Sequence, residues 1–293
     1  MRRSRLARRW LAFLFFIVGL IAAFANPLAS LAIHAAFSDL HSHVLLIPFV
    51  SAYLIYNRRN HLPKEYDSSP GWAVVLLLVG VAALIAAWGG RVFGEPLTHN
   101  DYLALTTLSF ICLLIAGGFF FLGRKWMVAT AFPFAFLIFM VPMPDAMSDI
   151  LETASKLASA EAANLFFHLS GTPVFRYGTV FQLPNITIQV AQECSGIRSS
   201  WVLFITSLLA GNLFLKSNWR RVLLICFVLP LAILRNGFRV CVIGMLCVSF
   251  GPQMINSIIH RRGGPLFFAL SLIPLFFLLW WLRRGEVVIS QAE

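Results

Sequence analysis

Residues 71–89 read GWAVVLLLVGVAALIAAWG, an apolar run with no charged side chain. A helix on the surface of a soluble domain carries a polar stripe along one side. This stretch has none, and its length is near the ~20 apolar residues that cross a ~30 Å hydrocarbon core. It therefore reads as a transmembrane helix, and comparable runs recur on both sides of it. One opens at Trp10, and others cover 44–56, 102–122, 126–141, 199–215, 222–241 and 264–282. The run at 44–56 is short unless it begins near Leu40, and apolar character beyond 241 continues to Phe250. That continuation fits either one long tilted helix or a span followed by a short interfacial helix. The expected fold is an all-α integral membrane protein with about eight transmembrane helices, residues 1–293 forming a single polytopic membrane domain.

Composition agrees. Apolar residues make up 59% of the chain and charged residues 12%, against about 25% charged in a soluble domain. The net charge of +11 raises nucleic acid as a partner, but the basic residues sit in alternate loops and no basic stretch is interleaved with stacking aromatics. The pattern is instead the positive-inside bias. Arg2, Arg3, Arg5, Arg8, Arg9, Arg58, Arg59, Lys64, Arg124, Lys125, Lys216, Arg220, Arg221, Arg283 and Arg284 fall on one side, while Asp39, Glu95, Asp101, Asp145, Asp149, Glu152, Glu161 and Glu193 fall on the other. Both termini are thus expected in the cytoplasm, with membrane lipid as the surrounding partner and no nucleic acid. Ala23-Phe24-Ala25 resembles a signal-peptidase site, but the topology works with the first span retained.

One extracytoplasmic loop, 142–198, is unusually long, and long structured loops are more often functional than filler. Leu151, Ala154, Ala158, Ala162, Leu165 and Leu169 recur at helical spacing, predicting an amphipathic helix on the membrane surface. Gly171 and Pro173 end it. Ile186, Ile188 and Val190 then alternate with Thr187 and Gln189, and Leu183-Pro184-Asn185 follows 174–182, predicting a small β-hairpin.

The hairpin leads into Glu193-Cys194-Ser195-Gly196-Ile197-Arg198-Ser199. The chain has five cysteines and no C-x-x-C pair; four lie in apolar runs, where free cysteine is a small hydrophobe. Cys194 is the one in a polar setting. A helix N-terminus or a nearby cation lowers a thiol's pKa toward the nucleophilic thiolate, and both are at hand if the sixth span begins here with Arg198 on its first turn. The plainer alternative is a small residue at a tight junction. A second segment, Leu234-Arg235-Asn236-Gly237-Phe238-Arg239, places ionisable groups inside the seventh apolar run. Such groups are costly in a span and face a polar partner or cavity, or in the plainer case snorkel to headgroups. A third is His260, before the last span; histidine is the side chain most readily tuned for proton transfer near neutral pH. The topology maps Cys194, Arg239 and His260 to one membrane face.

Together these three suit acyl transfer. A thiolate attacks a carbonyl and forms a thioester. A guanidinium stabilises the oxyanion. An imidazole protonates the leaving amine and deprotonates the incoming nucleophile. Glu193, Ser195, Arg198, Arg235 and Asn236 are supporting candidates. His34, His41, His43 and His99 are irregularly spaced, and no cofactor or metal is expected.

These motifs resemble the exosortase/archaeosortase family. The resemblance rests on Glu193–Ser199, Asn236-Gly237-Phe238-Arg239 and His260, with support from Ser42-His43-Val44-Leu45-Leu46-Ile47-Pro48, Phe139-Met140-Val141-Pro142-Met143-Pro144 and Gly171-Thr172-Pro173-Val174. It covers roughly residues 40–284. Arg261-Arg262-Gly263-Gly264 after His260 is more basic than the family pattern. The resemblance implies a membrane counterpart of sortases in the bacterial cytoplasmic membrane, with its active site on the outer face, Cys194 as nucleophile, Arg239 as the essential arginine and His260 as the histidine. Its substrates would be exported proteins bearing a C-terminal sorting signal: a Pro-Glu-Pro-like motif, a membrane helix and a basic tail. The new carboxyl end would pass to an acceptor at the cell surface, alongside exopolysaccharide systems. A hydrolysis-only membrane protease needs the same residues, and a transporter or a scaffold for polysaccharide assembly are the non-enzymatic alternatives.

Overall fold

The computed structural model describes residues 2–38, 40–63, 65–92, 97–184, 186–190, 196–256 and 263–292. Almost all of the described structure is helical, with one small sheet, so the chain is an all-α membrane protein. Among the described residues, five helices are long and apolar enough to cross a membrane: Pro70–Gly89, His99–Phe121, Ile197–Phe214, Asn218–Phe250 and Gly264–Glu286. Two more segments pass the same test only as broken pairs, Arg8–Ala23 with Ala25–Phe37 and Ala131–Met140 with Asp145–Leu169. The expected short span at 44–56 is a shorter apolar helix, Ser42–Asn57. The chain packs as two compact units, Met1–Met147 and Ser148–Glu293.

In the first unit, α1 (Arg2–Ala23) turns by 71° into α2 (Ala25–Phe37), followed by α3 (Ile47–Asn57), α4 (Pro70–Val92), α5 (His99–Phe121), α6 (Arg124–Ala129) and α7 (Ala131–Phe136). α4 starts with Pro70 at its first helical position, where the missing N–H costs nothing. The Thr98 hydroxyl accepts from the Asp101 amide at 3.1 Å and caps α5, and Asp101 adds a favourable charge in the first turn. α5 is the packed centre of this unit. Its glycines admit neighbours closely: a Cβ at Gly118 would lie 2.5 Å from the Met127 sulfur. Thr106 returns its hydroxyl to the Tyr102 carbonyl of its own helix at 2.9 Å, so a buried polar group is satisfied without leaving the span.

The second unit begins on α8 (Asp145–Leu169) and continues through β1 (Phe175–Tyr177), β2 (Val180–Leu183), β3 (Ile186–Gln189), α9 (Ile197–Phe214), α10 (Asn218–Phe250) and α11 (Gly264–Ala292). α8 is the predicted amphipathic helix, but its packing face is not the leucine face. Ser159, Ala160, Ala162, Ala163 and Phe167 are buried, while Leu151, Leu157, Leu165 and Leu169 stay exposed. Small residues let a neighbouring backbone approach, and the larger ones are left for lipid.

The predicted hairpin is present as the β2–β3 pair, with Leu183 opposite Ile186. A third strand precedes it, making an antiparallel sheet of order β1-β2-β3. The sequence reading runs 174–182 as one strand, whereas Gly178 folds it back. Its φ is +60°, and Tyr177 pairs directly with Val180, the two-residue turn that favours a glycine at positive φ. Phe181, Leu183, Ile188 and Val190 from the sheet bury against Ala160, Ala163 and Phe167 of α8 and Val240 and Cys241 of α10. A separate cluster, including Leu203, Leu224, Val228, Leu275 and Leu279, joins α9, α10 and α11. α10 settles the choice left open at 222–250: it is one continuous helix of 33 residues. At ~1.5 Å per residue it exceeds the ~30 Å hydrocarbon thickness, so a long helix must tilt or project.

Candidate functional site

The described part of the site is built where α8, the N-terminus of α9 and the middle of α10 meet. Gly196 precedes α9 in the left-handed conformation, with φ +71°, a region that favours glycine. Space imposes the same choice, because a Cβ there would lie 2.9 Å from the Asn236 side chain and 3.3 Å from Arg235 Nη2. The Gly196 carbonyl is a point of convergence. It accepts from the Ser200 amide at 3.0 Å, the Ser199 hydroxyl at 3.1 Å, the Ser200 hydroxyl at 2.8 Å and Arg235 Nη2 at 3.2 Å. Arg235 Nη2 also donates to Ser200 Oγ at 3.2 Å.

The second anchor is Asn236. Its Nδ2 donates to Ser159 Oγ on α8 at 2.9 Å, and both residues are fully enclosed. The contact is possible because Gly237 follows. A Cβ at 237 would lie 2.5 Å from the Ala162 Cβ and 2.8 Å from the Ala163 nitrogen, so α8 and α10 touch nearly backbone to backbone. One turn after Arg235, Arg239 is half-buried on the same helix. Two guanidinium groups at this spacing repel, and burial of Arg235 at 7% exposure adds a desolvation cost that its bonds to Gly196 and Ser200 offset. Arg198, on the first turn of α9, is exposed.

The structure thus brings together Arg235, Asn236 and Gly196, with Arg239 one turn away. Glu193, Cys194, Ser195 and His260 lie outside the described residues. Ser159 and Ser200, both partners of the polar residues of α10, are functional neighbours that the sequence reading passed over. The signal for Ser159 was available in Ser159-Ala160-Glu161-Ala162-Ala163, a small-residue run matching Gly237.

Three histidines, His34, His41 and His99, gather in the first unit. His34 Nε2 lies 3.3 Å from His41 Nδ1, the Ser38 hydroxyl is 3.0 Å from the same nitrogen, and the His34 and His99 rings are 5.9 Å apart. Burial first, then the neighbouring His34 and His43, push the His41 pKa down to about 4, opposed by Asp145. His41 is therefore neutral near pH 7. Among the described residues no group of three histidine, cysteine or acidic side chains is placed to hold a metal ion.

A membrane protein built on apolar spans, with arginine and asparagine enclosed beside a glycine turn that follows a cysteine, defines a class of intramembrane polar site. Residues 34–277 match the family model described as transmembrane exosortase (Exosortase_EpsH), and the chain belongs to that family. No curated protein and no solved structure matches the chain.

Proposed function

We propose that the chain is a membrane-embedded cysteine transpeptidase acting on exported proteins that end in a sorting signal. The observation that carries this reading is the match to the exosortase family across residues 34–277, which spans Cys194, Arg239 and His260. The built Gly196 turn supports it: a reactive loop needs a rigid base, and Gly196 is fixed by donors from α9 and α10.

In this reading the Cys194 thiolate attacks the carbonyl carbon of a peptide bond beside the substrate's membrane helix. Arg239 stabilises the oxyanion. The C–N bond breaks as His260 delivers a proton to the leaving amine, which departs with the helix and basic tail. The thioester that remains is resolved when His260 takes the proton from an incoming nucleophile. An acceptor at the cell surface gives transfer; water gives hydrolysis. The charge bias of the loops supports both termini in the cytoplasm and the site on the outer face of a bacterial cytoplasmic membrane. The test co-expresses the chain with a reporter ending in Pro-Glu-Pro, a membrane helix and a basic tail. Tail removal by wild type and none by Cys194→Ala is expected; equal removal by both would overturn the mechanism. Mass spectrometry of the new end group separates transfer from hydrolysis.

A further inference from the structure

We propose that Arg235 is a positioning residue of this site, holding the Gly196 carbonyl and so fixing the chain two residues beyond Cys194. The inference rests on the reading of Cys194 as nucleophile, and it gives a specific role to Arg235, which the sequence marks only as a supporting candidate.

α9 needs no donor from another helix at its first turn in order to fold. Its first-turn carbonyl, Gly196 O, already receives the Ser200 amide at 3.0 Å, an ordinary helical bond, and the Ser199 and Ser200 hydroxyls at 3.1 and 2.8 Å. A carbonyl offers two lone pairs. Nothing in helix formation calls for a further donor, yet Arg235 reaches across from α10 to supply one at 3.2 Å. An arginine in a membrane helix is expensive, and only 7% of this one is exposed. Its Nη1 is buried with no hydrogen-bond partner among the described residues, a cost that a purely structural position sheds easily by substitution with an apolar residue. One guanidinium nitrogen, Nη2, bridges Gly196 O and Ser200 Oγ. Neighbouring packing keeps the bridge in place, since Asn236 locks α10 to α8 through Ser159 and Gly196 accepts no side chain. Arg235 therefore sets where the glycine turn sits on α10 rather than whether α9 forms.

The experiment uses the full chain in lipid nanodiscs with a reporter peptide substrate, comparing wild type with Arg235→Gln, Arg235→Lys, Ser200→Ala and Cys194→Ala. Three quantities are read: kcat and KM, the pH midpoint of iodoacetamide alkylation at Cys194 followed by mass spectrometry, and the thermal unfolding midpoint. A displacement of about 1 Å near a reacting group costs on the order of 100-fold. Arg235→Gln is accordingly expected to lower kcat by about that factor, with KM little changed and the Cys194 alkylation midpoint moved. Arg235→Lys should recover part of the loss, and Ser200→Ala should show a smaller loss of the same kind. Folded Arg235→Gln with unchanged kcat and alkylation profile overturns the inference, provided Cys194→Ala is inactive. If Arg235→Gln does not fold, Ser200→Ala decides: a folded Ser200→Ala with a wild-type kcat and alkylation midpoint overturns it equally. Full activity in Cys194→Ala would instead remove the nucleophile reading itself, and this inference with it.

Discussion

α5 and α10 are both apolar membrane spans, and beyond the first turn of α5, where Asn100 and Asp101 bond to Met143 and Asp145, they handle buried polarity in opposite ways. α5 carries no charge through its core, and 67% of its most apolar window is buried, against 33% for α10. The hydroxyl of Thr106 bonds within α5 itself. In α10 the polar groups leave the helix: Asn236 reaches Ser159 on α8, and Arg235 reaches Gly196 and Ser200 at the start of α9. A span whose polarity closes on itself is held by packing. A span whose polarity crosses to other elements fixes their relative geometry, and that geometry is what a reaction requires.

Substitutions in the two spans are expected to have different consequences. The largest effect belongs to Arg239→Gln, where loss of an oxyanion donor should cost about 10²–10³ in kcat with little change in thermal stability. Wild-type kcat in that variant would return α10 to the structural role of α5. Next comes Gly237→Val. Forcing a side chain between α8 and α10 should destabilise by about 1–3 kcal/mol, seen as a lower unfolding midpoint in detergent. Smaller still is the coupling between Asn236 and Ser159. A double-mutant cycle with Asn236→Leu and Ser159→Ala should return about 0.6–1.7 kcal/mol, the range of interhelical bonds in membrane proteins. Thr106→Val in α5 should leave substrate processing at the wild-type rate, since its bond is local. A coupling of zero in α10 would erase the contrast.

The smallest effect concerns pH and the first unit alone. The His41 pKa is lowered from 6.5 to about 4 in the folded chain. The neutral ring is the form the fold favours, so its contribution is fully present above about pH 6.5 and is lost as pH falls toward 4. His34, His43 and Asp145 are the groups that act on it. His41→Gln should flatten the fall in unfolding midpoint between these pH values; an unchanged profile would assign that fall to other groups.

Much of the fold is legible in the sequence. The spans follow from run length and the scarcity of charge, because charged side chains are costly in lipid. Arg235, Asn236 and Arg239 are marked by polar groups inside an apolar run, where they are costly, and Cys194 is marked as the one cysteine in a polar setting. Gly178 was harder, since a single positive-φ residue turns one strand into two with no change in hydrophobic alternation. The packing face of α8 was harder again. Leucine spacing marks an apolar face, but in a membrane both protein and lipid are apolar, so only the small residues opposite Gly237 distinguish the buried side. The roles of Arg235 and Ser200 lay beyond the sequence because they depend on side chains from two helices meeting at one carbonyl.

The central claim is that Cys194 carries the chemistry. The most direct measurement compares wild type and Cys194→Ala in cells expressing the Pro-Glu-Pro reporter, scoring tail removal and identifying the new end group by mass spectrometry. The account predicts a processed reporter in wild type and an intact one in the variant. Processing that continues undiminished without the thiol would contradict it.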